Sequence, residues 1–235
     1  MEDAACERCA GQDGDERLYY PVFLDVRGRR AVVVGGGTVA ERKADGLVRA
    51  GAQVLVVAPE ATTSLEAWAR EGRIELERRM FRDDDVAGAF LVYAATDNVA
   101  VNHAVYALAE ASGVLANVVD DPAHCSFIVP SVVRRGSLQL AVSTGGAAPA
   151  LAKRLRRELE GHYSEEWGLY VDVLAEVRAL VRSRVAGGEA DRAPVLEAAC
   201  DLGLLERIRA GEELDAEAVY AEAVAAACAK ERGSQ

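Results

Sequence analysis

Three consecutive glycines, Gly35, Gly36 and Gly37, follow an apolar run over residues 31–34 that suits a buried strand. With Ala40 they match the pattern G-x-G-x-x-[GA] of dinucleotide-binding turns. In this pattern the first glycine permits a tight turn, and the second lets a pyrophosphate approach the backbone. The small third residue lets the next helix pack on the strand, and the N-terminus of that helix attracts phosphate. The spacing therefore predicts a nucleotide site at this turn.

Two further apolar runs end in polar groups that would face the same nucleotide. Residues 54–57 predict the second strand, and Glu60 follows it closely enough for its carboxylate to reach ribose hydroxyls. No arginine stands there to bind a 2′-phosphate, so the sequence favours NAD over NADP. Residues 90–95 predict another buried strand, whose end at Thr96 is expected to line the cofactor crevice. Thr96 and its neighbours also suit a cap for a helix over 99–112.

A stretch without acidic residues, from 122 to 157, stands out in a chain with a formal net charge of −11. Its basic residues are Arg134, Arg135, Lys153, Arg154, Arg156 and Arg157. They suit either a solvated helix face or an anion-binding surface beside a helix N-terminus. Composition alone does not choose between these two interpretations.

The composition favours an acidic globular protein in a reducing compartment. Apolar residues make up 51% of the 235 residues, and the pI is about 4.9, which argues against nucleic acid or an anionic membrane as partner. No apolar run approaches the ~20 residues of a membrane span, and the N-terminus lacks a signal pattern. The five cysteines are an odd number with wide gaps between most of them, which fits a reduced cytoplasmic setting better than a disulfide framework. Residues 1–17 predict a flexible tail, with Cys6 and Cys9 as an alternative half of a zinc site.

The elements around the glycine turn alternate as a parallel sheet requires. Five apolar runs predict strands, at residues 31–34, 54–57, 74–76, 90–95 and 114–119. Helices are predicted between them, at 38–50, 62–71 and 99–112. This alternation predicts an α/β fold with a Rossmann-type, doubly wound parallel sheet over residues 18–122.

The pattern changes after the fifth strand. Strands at 126–129 and 138–142 and a helix at 149–160 form a strand–strand–helix unit over 123–160. Two strands alone are marginally stable, so pairing with a second copy is expected, which makes this a dimerisation unit. Residues 161–235 predict a helical domain. Its helices are predicted at 167–185, 194–200, 202–210 and 216–229.

Several separated motifs resemble one family. They are Tyr20–Val26, Val34–Lys43, Ala116–Pro122, Ser126–Pro130, Ser143–Gly146 and Pro149–Arg156. In this order they resemble the precorrin-2 dehydrogenase family of sirohaem synthesis, which includes the N-terminal part of the fused sirohaem synthases. The resemblance implies oxidation of precorrin-2 to sirohydrochlorin with NAD⁺ and, in some members, insertion of Fe²⁺. It also implies a homodimer whose post-Rossmann strands and helix pack across the two-fold axis.

The resemblance also implies roles for particular residues. The NAD contacts of the family map onto the glycine loop with Thr38 and Val39, and onto Pro59 and Glu60. The expected substrate contacts are Asn117, Ser143, Thr144, Arg134, Arg135 and Lys153. In some fused synthases a serine at the position of Thr144 is phosphorylated, so that modification is not assumed here. A substrate with several carboxylates would also explain the basic stretch.

Asp120 is the expected catalytic residue. It corresponds to the essential aspartate of the family's N-x-x-D motif, and it follows the fifth strand at the edge where open sheets bind ligands. An alternative role for Asp120 is a turn before Asp121 and Pro122, and Asp121 is the better pure turn residue. His124 and Cys125 lie within the same turn and could meet a metal with Asp120, although such a pair is more often incidental.

Three alternatives to a simple dehydrogenase stay open at this point. The first is a non-catalytic NAD-sensing module with the C-terminal helices as its output. The second is a dehydrogenase of another polyanionic substrate. The third is a bifunctional dehydrogenase and chelatase.

Overall fold

The structure, a computed structural model, describes residues 18–233. The predicted tail over residues 1–17, with Cys6 and Cys9, lies outside the described residues. The chain divides into two compact units between Val129 and Pro130. The domain boundaries expected near residues 122 and 160 stay a prediction.

The first unit is built on a five-stranded parallel sheet. Its strands are β1 (Arg30–Val34), β2 (Gln53–Val57), β3 (Glu75–Glu77), β4 (Leu91–Ala94) and β5 (Leu115–Val118). Its helices are α1 (Thr38–Arg49), α2 (Thr63–Arg70) and α3 (Val99–Ala111), with short 3₁₀ turns at Asp83–Val86 and Pro122–His124. The predicted doubly wound parallel sheet is confirmed.

The strand order is β3-β2-β1-β4-β5, so the chain first extends the sheet from β1 to β3 and then returns to the other side of β1. Adjacent strands are parallel, with Val34 opposite both Val57 of β2 and Ala94 of β4. In such a sheet the crevice opens at the carboxyl ends of the two strands where the order reverses. Here those strands are β1 and β4.

Both faces of the sheet are covered by helices. Val33 of β1 belongs to a buried cluster with Leu47 of α1 and Leu65 of α2. Val32 on the opposite face belongs to a second cluster with Val105 of α3. Residues that alternate along a strand point to opposite faces, so the continuous apolar sequence of β1 fills both cores. This packing fixes the glycine turn that follows β1.

The second unit combines an antiparallel hairpin with five helices. The strands are β6 (Ser131–Arg135) and β7 (Leu138–Val142). The helices are α4 (Pro149–His162), α5 (Glu166–Arg184), α6 (Glu189–Cys200), α7 (Leu204–Arg209) and α8 (Ala216–Gly233). Val177 of α5 and Val219 of α8 are fully buried in the core that α5 to α8 share. Among the described residues, no helix combines the length and apolar character needed to span a membrane.

The predicted strand at 126–129 is wrong, because this segment bonds back to β5 instead of pairing with β7. Ser126 donates its backbone N–H to Ala116 O over 2.8 Å, and the side-chain amide of Asn117 donates to Phe127 O over 2.9 Å. Pro130 then has no N–H to offer a ladder. The first strand of the hairpin therefore begins at Ser131.

Helix α6 begins at Glu189, earlier than the predicted start at Pro194. The side chain of Asp191 accepts a hydrogen bond from Gly188 N at 2.7 Å and so satisfies one backbone donor at the helix start. The proline therefore lies inside the helix and not in its first turn.

Candidate functional site

A cleft of about 620 Å³ opens at the carboxyl ends of β1, β2 and β4. Most of the predicted cofactor residues line it: Gly35, Gly36, Gly37, Pro59, Glu60 and Thr96. Thr38 and Val39 are not among the lining residues, and they form the first turn of α1 beside the cleft. The sheet therefore gathers groups from three separate strand ends around one space.

Gly35 and Gly36 are required by the fold itself. Gly35 has φ +126°, and a Cβ there would overlap the backbone carbonyl of Ala95. A Cβ on Gly36 would overlap the carbonyl oxygen of Glu60. Gly36 O also accepts a hydrogen bond of 3.0 Å from Thr62 N, at the start of α2. Together these contacts hold the glycine turn against the loops that follow β2 and β4.

Gly37 is different, because the protein does not need a glycine there. Its φ of −80° and ψ of −176° suit any residue, and beyond its two chain neighbours no described residue comes within 4 Å of a Cβ built on it. Gly37 is also the N-cap of α1, and its helix start has no side-chain cap among the described residues. The open space and the helix N-terminus fit the pyrophosphate of a dinucleotide.

The wall of the cleft at β4 is locked by two polar side chains. Thr96 Oγ1 donates to Asn102 Oδ1 over 2.7 Å, and Asn102 Nδ2 donates back to Thr96 O over 2.9 Å. Asn98 caps α3, accepting a hydrogen bond of 3.2 Å from Val101 N, as the sequence suggested for this loop. Sequence reasoning missed Asn102, although an amide side chain one turn after the cap, in an otherwise mostly apolar helix, was a usable signal.

An acidic side chain lines the cleft at the end of β2. Glu60 is exposed and lies after β2, where an acid can accept hydrogen bonds from ribose hydroxyls. No lysine or arginine is among the described residues that line the cleft.

Asp120 follows β5 at the carboxyl edge of the same sheet. It has φ +60° and is the one non-glycine residue with positive φ among the described residues. Aspartate tolerates this left-handed conformation better than most residues. Such strained positions are enriched at functional sites, so the backbone conformation of Asp120 supports a functional role for this residue independently of its sequence motif.

Lys43 of α1 lies in the same part of the first unit and was not singled out from the sequence. Its ammonium group is 4.8 Å from the ring centroid of Tyr93. Burial and the charge of Arg42 lower the pKa of Lys43, while the carboxylate of Asp120 opposes this effect. Lys43 therefore supplies a partly desolvated cation within electrostatic reach of Asp120.

The segment after β5 is fixed by buried polar side chains. Asn117 uses its amide on Phe127 O, and the thiol of Cys125 lies 3.2 Å from the carbonyl oxygens of both Val118 and Asp121. Cys125 is buried, so the structure does not assemble the suggested metal set of Asp120, His124 and Cys125.

Asp121, predicted as a pure turn residue, connects two histidines instead. Its Oδ2 atom accepts hydrogen bonds from His103 Nε2 at 2.9 Å and from His124 Nδ1 at 2.7 Å. These bonds, the one from His103 above all, hold the pKa of Asp121 below its ordinary value of 3.8. Sequence reasoning did not bring His103 to this turn, because eighteen positions of α3 and β5 separate it from Asp121.

The predicted substrate residues of the second unit differ in availability. Arg134 and Lys153 are exposed, whereas Arg135 donates to Tyr163 O at 2.8 Å and to Glu160 O at 3.2 Å. Arg135 therefore holds the end of α4.

The loop before α4 uses its two predicted hydroxyl groups on its own backbone. Ser143 Oγ accepts from Gly145 N at 3.1 Å, and Thr144 Oγ1 accepts from Ala148 N at 3.1 Å. Ser143 is exposed and Thr144 is half-buried, so the hydroxyl of Ser143 is the more accessible of the two.

A glycine turn that opens onto a cleft where the strand order reverses defines a dinucleotide-binding protein of the Rossmann type. Residues 22–131 match the family NAD_binding_7, described as NAD(P)-binding. Residues 135–162 match a family described as sirohaem biosynthesis protein central.

Similarity to known proteins identifies the family within this class. The solved structure of SirC, a precorrin-2 dehydrogenase, is similar with a TM-score of 0.68 and 31% identity, covering 80% of this chain and 92% of that one. The siroheme synthase of Nitrosococcus oceani is 41% identical over 215 residues, which are 92% of this chain and 46% of that protein. That of Methylobacillus flagellatus is 44% identical over 172 residues, or 73% of this chain and 37% of that protein. The chain belongs to the precorrin-2 dehydrogenase family, and it spans less than half the length of these two curated relatives.

Proposed function

We propose that this protein oxidises precorrin-2 to sirohydrochlorin with NAD⁺ as hydride acceptor. The observation that carries the proposal is the glycine cleft with its open space at Gly37, on the same sheet edge as Asp120. The similarity to a precorrin-2 dehydrogenase over most of the chain supports this choice of substrate.

The reaction removes a hydride and a proton from precorrin-2 and yields sirohydrochlorin, NADH and H⁺. When bound, NAD⁺ supplies the hydride acceptor. The N-terminus of α1 holds the pyrophosphate, and Glu60 accepts hydrogen bonds from the ribose hydroxyls. The carboxylate of Asp120 accepts the proton that leaves the macrocycle. The positive charge of Lys43 partly compensates the negative charge of Asp120.

The preferred cofactor in this proposal is NAD⁺ and not NADP⁺. Glu60 lines the cleft, and its negative charge would repel a 2′-phosphate. The lining residues also offer no lysine or arginine to compensate for such a phosphate within the described chain.

The substrate carries several carboxylates, and the second unit supplies basic groups for them. Arg134 and Lys153 are exposed, and in this proposal their positive charges bind the carboxylates of the substrate. Ser143 and Thr144 form hydrogen bonds to it. Arg135 contributes by holding α4, since its guanidinium bonds the carbonyl oxygens of Glu160 and Tyr163. Asn117 contributes by fixing the segment after β5 through Phe127.

The working assembly is a homodimer formed through the second unit. Leu151 and Leu155 lie one turn apart on α4 and are 48% and 37% exposed. Exposed leucines on one helix face, beside a hairpin of two strands, suit contact with a second copy. We place the dimer in the cytoplasm, as the cysteine content suggested.

An anaerobic assay with precorrin-2 and NAD⁺ tests the proposal. The expected result is one NADH for each sirohydrochlorin formed. An NAD-sensing module would bind NAD⁺ or NADH and form neither product. Repeating the assay with Fe²⁺ or Co²⁺ measures metal insertion separately, so the chelatase alternative is decided by the appearance of metallated product.

A further inference from the structure

His103, Asp121 and His124 form a cluster outside the nucleotide cleft. One oxygen of Asp121 contacts both imidazoles, at 2.9 Å from His103 Nε2 and 2.7 Å from His124 Nδ1. The two rings are stacked, with centroids 4.0 Å apart and an interplanar angle of 26°. The three candidate ligand atoms all lie within 4.8 Å of one another.

We propose that His103, Asp121 and His124 bind a divalent transition-metal ion of the Zn²⁺ or Co²⁺ type. Two imidazole nitrogens and one carboxylate oxygen are the donor set that these ions prefer, whereas Mg²⁺ and Ca²⁺ prefer oxygen alone. Bonds of about 2.0–2.1 Å place neighbouring ligand atoms about 3 Å apart, so the cluster needs small movements to close around an ion.

Ligation requires the protons of the cluster to be rearranged. In the hydrogen-bonded form His103 carries a proton on Nε2 and His124 carries one on Nδ1, since a carboxylate only accepts. On metal binding each ring moves this proton to its other nitrogen and stays neutral. The ion then takes the positions of the two N–H groups, and its remaining coordination positions are open to water, because the three side chains are 30–43% exposed.

The framework holds the ligands before any ion arrives. His103 lies within α3, and Asp121 and His124 bracket the 3₁₀ turn after β5. Within that turn His124 N donates to Asp121 O over 3.1 Å. The ring of Tyr106, one turn after His103 on α3, packs edge-on against His124 at 5.1 Å. Helix α3 and the 3₁₀ turn after β5, which hold the three side chains, are thus ordered by contacts that do not involve a metal ion.

This inference does not rest on the proposed dehydrogenase activity. None of the three residues lines the nucleotide cleft, and the proton acceptor proposed there is Asp120. Metal binding can be measured without precorrin-2 and without NAD⁺, so failure of one proposal leaves the other standing.

The test is titration of the full chain with Zn²⁺ by calorimetry and with Co²⁺ by visible absorption. Both are done with the variant in which Cys6 and Cys9 are replaced by serine, so that the thiols of this C-x-x-C pair do not compete for the ion. The expected result is one ion per chain, with d–d bands of Co²⁺ but no thiolate charge-transfer band. His103→Ala, His124→Ala and Asp121→Asn should each weaken binding at least tenfold, since even outer-shell changes at metal sites cost 10–100-fold.

The third histidine of the chain provides the matched control. His162 is exposed and lies in the second unit, so His162→Ala should leave the affinity for Zn²⁺ unchanged. If a variant at 103 or 124 fails to fold, the imidazole ¹⁵N chemical shifts of the wild type are measured before and after Zn²⁺ addition. The shifts of His103 and His124 should change, and those of His162 should not. The proposal would be overturned if the wild type did not bind Zn²⁺. It would also be overturned if the His103→Ala and His124→Ala variants bound Zn²⁺ with the affinity of the wild type.

Discussion

The backbone of Gly36 packs so closely against Glu60 that a side chain at position 36 would overlap the Glu60 carbonyl oxygen. One residue further on, the space beside Gly37 is open. The fold explains the glycine at 36, and the pyrophosphate of a dinucleotide at this helix N-terminus would explain the glycine at 37. The same contact ties the glycine turn to the acid that is proposed to bind the ribose.

Gly37→Asp should abolish NAD⁺ binding without unfolding the protein. The carboxylate would occupy the open space and repel the pyrophosphate, while the backbone at φ −80° accepts any residue. Titration with NAD⁺ should show at least a tenfold loss of affinity. Gly46→Asp, an exposed position further along α1, adds the same charge and should bind normally. Normal binding by Gly37→Asp would contradict the assigned site.

Glu60→Gln should narrow the preference for NAD⁺ over NADP⁺. The substitution removes the charge that would repel a 2′-phosphate and weakens the hydrogen bonds to the ribose. The ratio of kcat/KM for the two cofactors should fall about tenfold, or about 1.4 kcal/mol. Glu75→Gln, an exposed position on β3, makes the same change and should leave the ratio unaltered. A wild type that prefers NADP⁺ tenfold would refute the assignment.

Asp85→Asn should reduce the stability of the first unit in a pH-dependent way. Asp85 is 5% exposed and accepts two hydrogen bonds from Arg79, at 2.7 and 2.8 Å. At pH 7 the loss of this charged pair should cost about 2 kcal/mol in urea unfolding. Asp83→Asn, an exposed position in the same turn, serves as the control.

The pH window follows from the direction of the shift. The Arg79 guanidinium lowers the pKa of Asp85 below 3.8, so folding favours the ionised form. Its contribution is complete above the unfolded-state pKa and is lost as the pH falls through the lower, folded-state value. The difference between wild type and Asp85→Asn should therefore be constant from pH 7 to about 5 and shrink below about 4. A difference that grows toward acid would be the opposite of this expectation.

Leu151→Glu combined with Leu155→Glu should convert the proposed dimer to a monomer. Two charges on the exposed face of α4 would have to be desolvated in the proposed interface. Light scattering measures the mass of each protein directly. Val99→Glu, which changes a still more exposed apolar residue of the first unit, should remain dimeric. A wild type that is monomeric at all concentrations would remove the dimer from the account.

The sheet and the glycine turn were predictable because local sequence determines them. A continuous apolar run followed by glycines and a helix start is typical of a strand, a tight turn and a helix, and β1 and α1 have this arrangement. The edge on which Glu60, Thr96 and Asp120 lie then followed from the parallel order of the strands.

Other features were not predictable because they depend on partners far away in sequence. The side chain of Asn117 draws Phe127 toward β5, and no local pattern reveals that the strand therefore begins at Ser131. His103 meets Asp121 only because α3 and the turn after β5 pack together. The positive φ of Asp120 is likewise not something that its residue type alone predicts.

The central claim, that Asp120 accepts the proton during dehydrogenation, is tested most directly by single-turnover NADH formation from precorrin-2. Asparagine tolerates positive φ as aspartate does, so Asp120→Asn removes the base while keeping the turn. Base catalysis is typically worth ~10²–10⁴-fold, and the rate should fall by about that much with NAD⁺ affinity unchanged. Asp84→Asn, an exposed control in the first unit, should react at the wild-type rate. A rate for Asp120→Asn within about threefold of wild type would contradict the account, since base catalysis is worth far more.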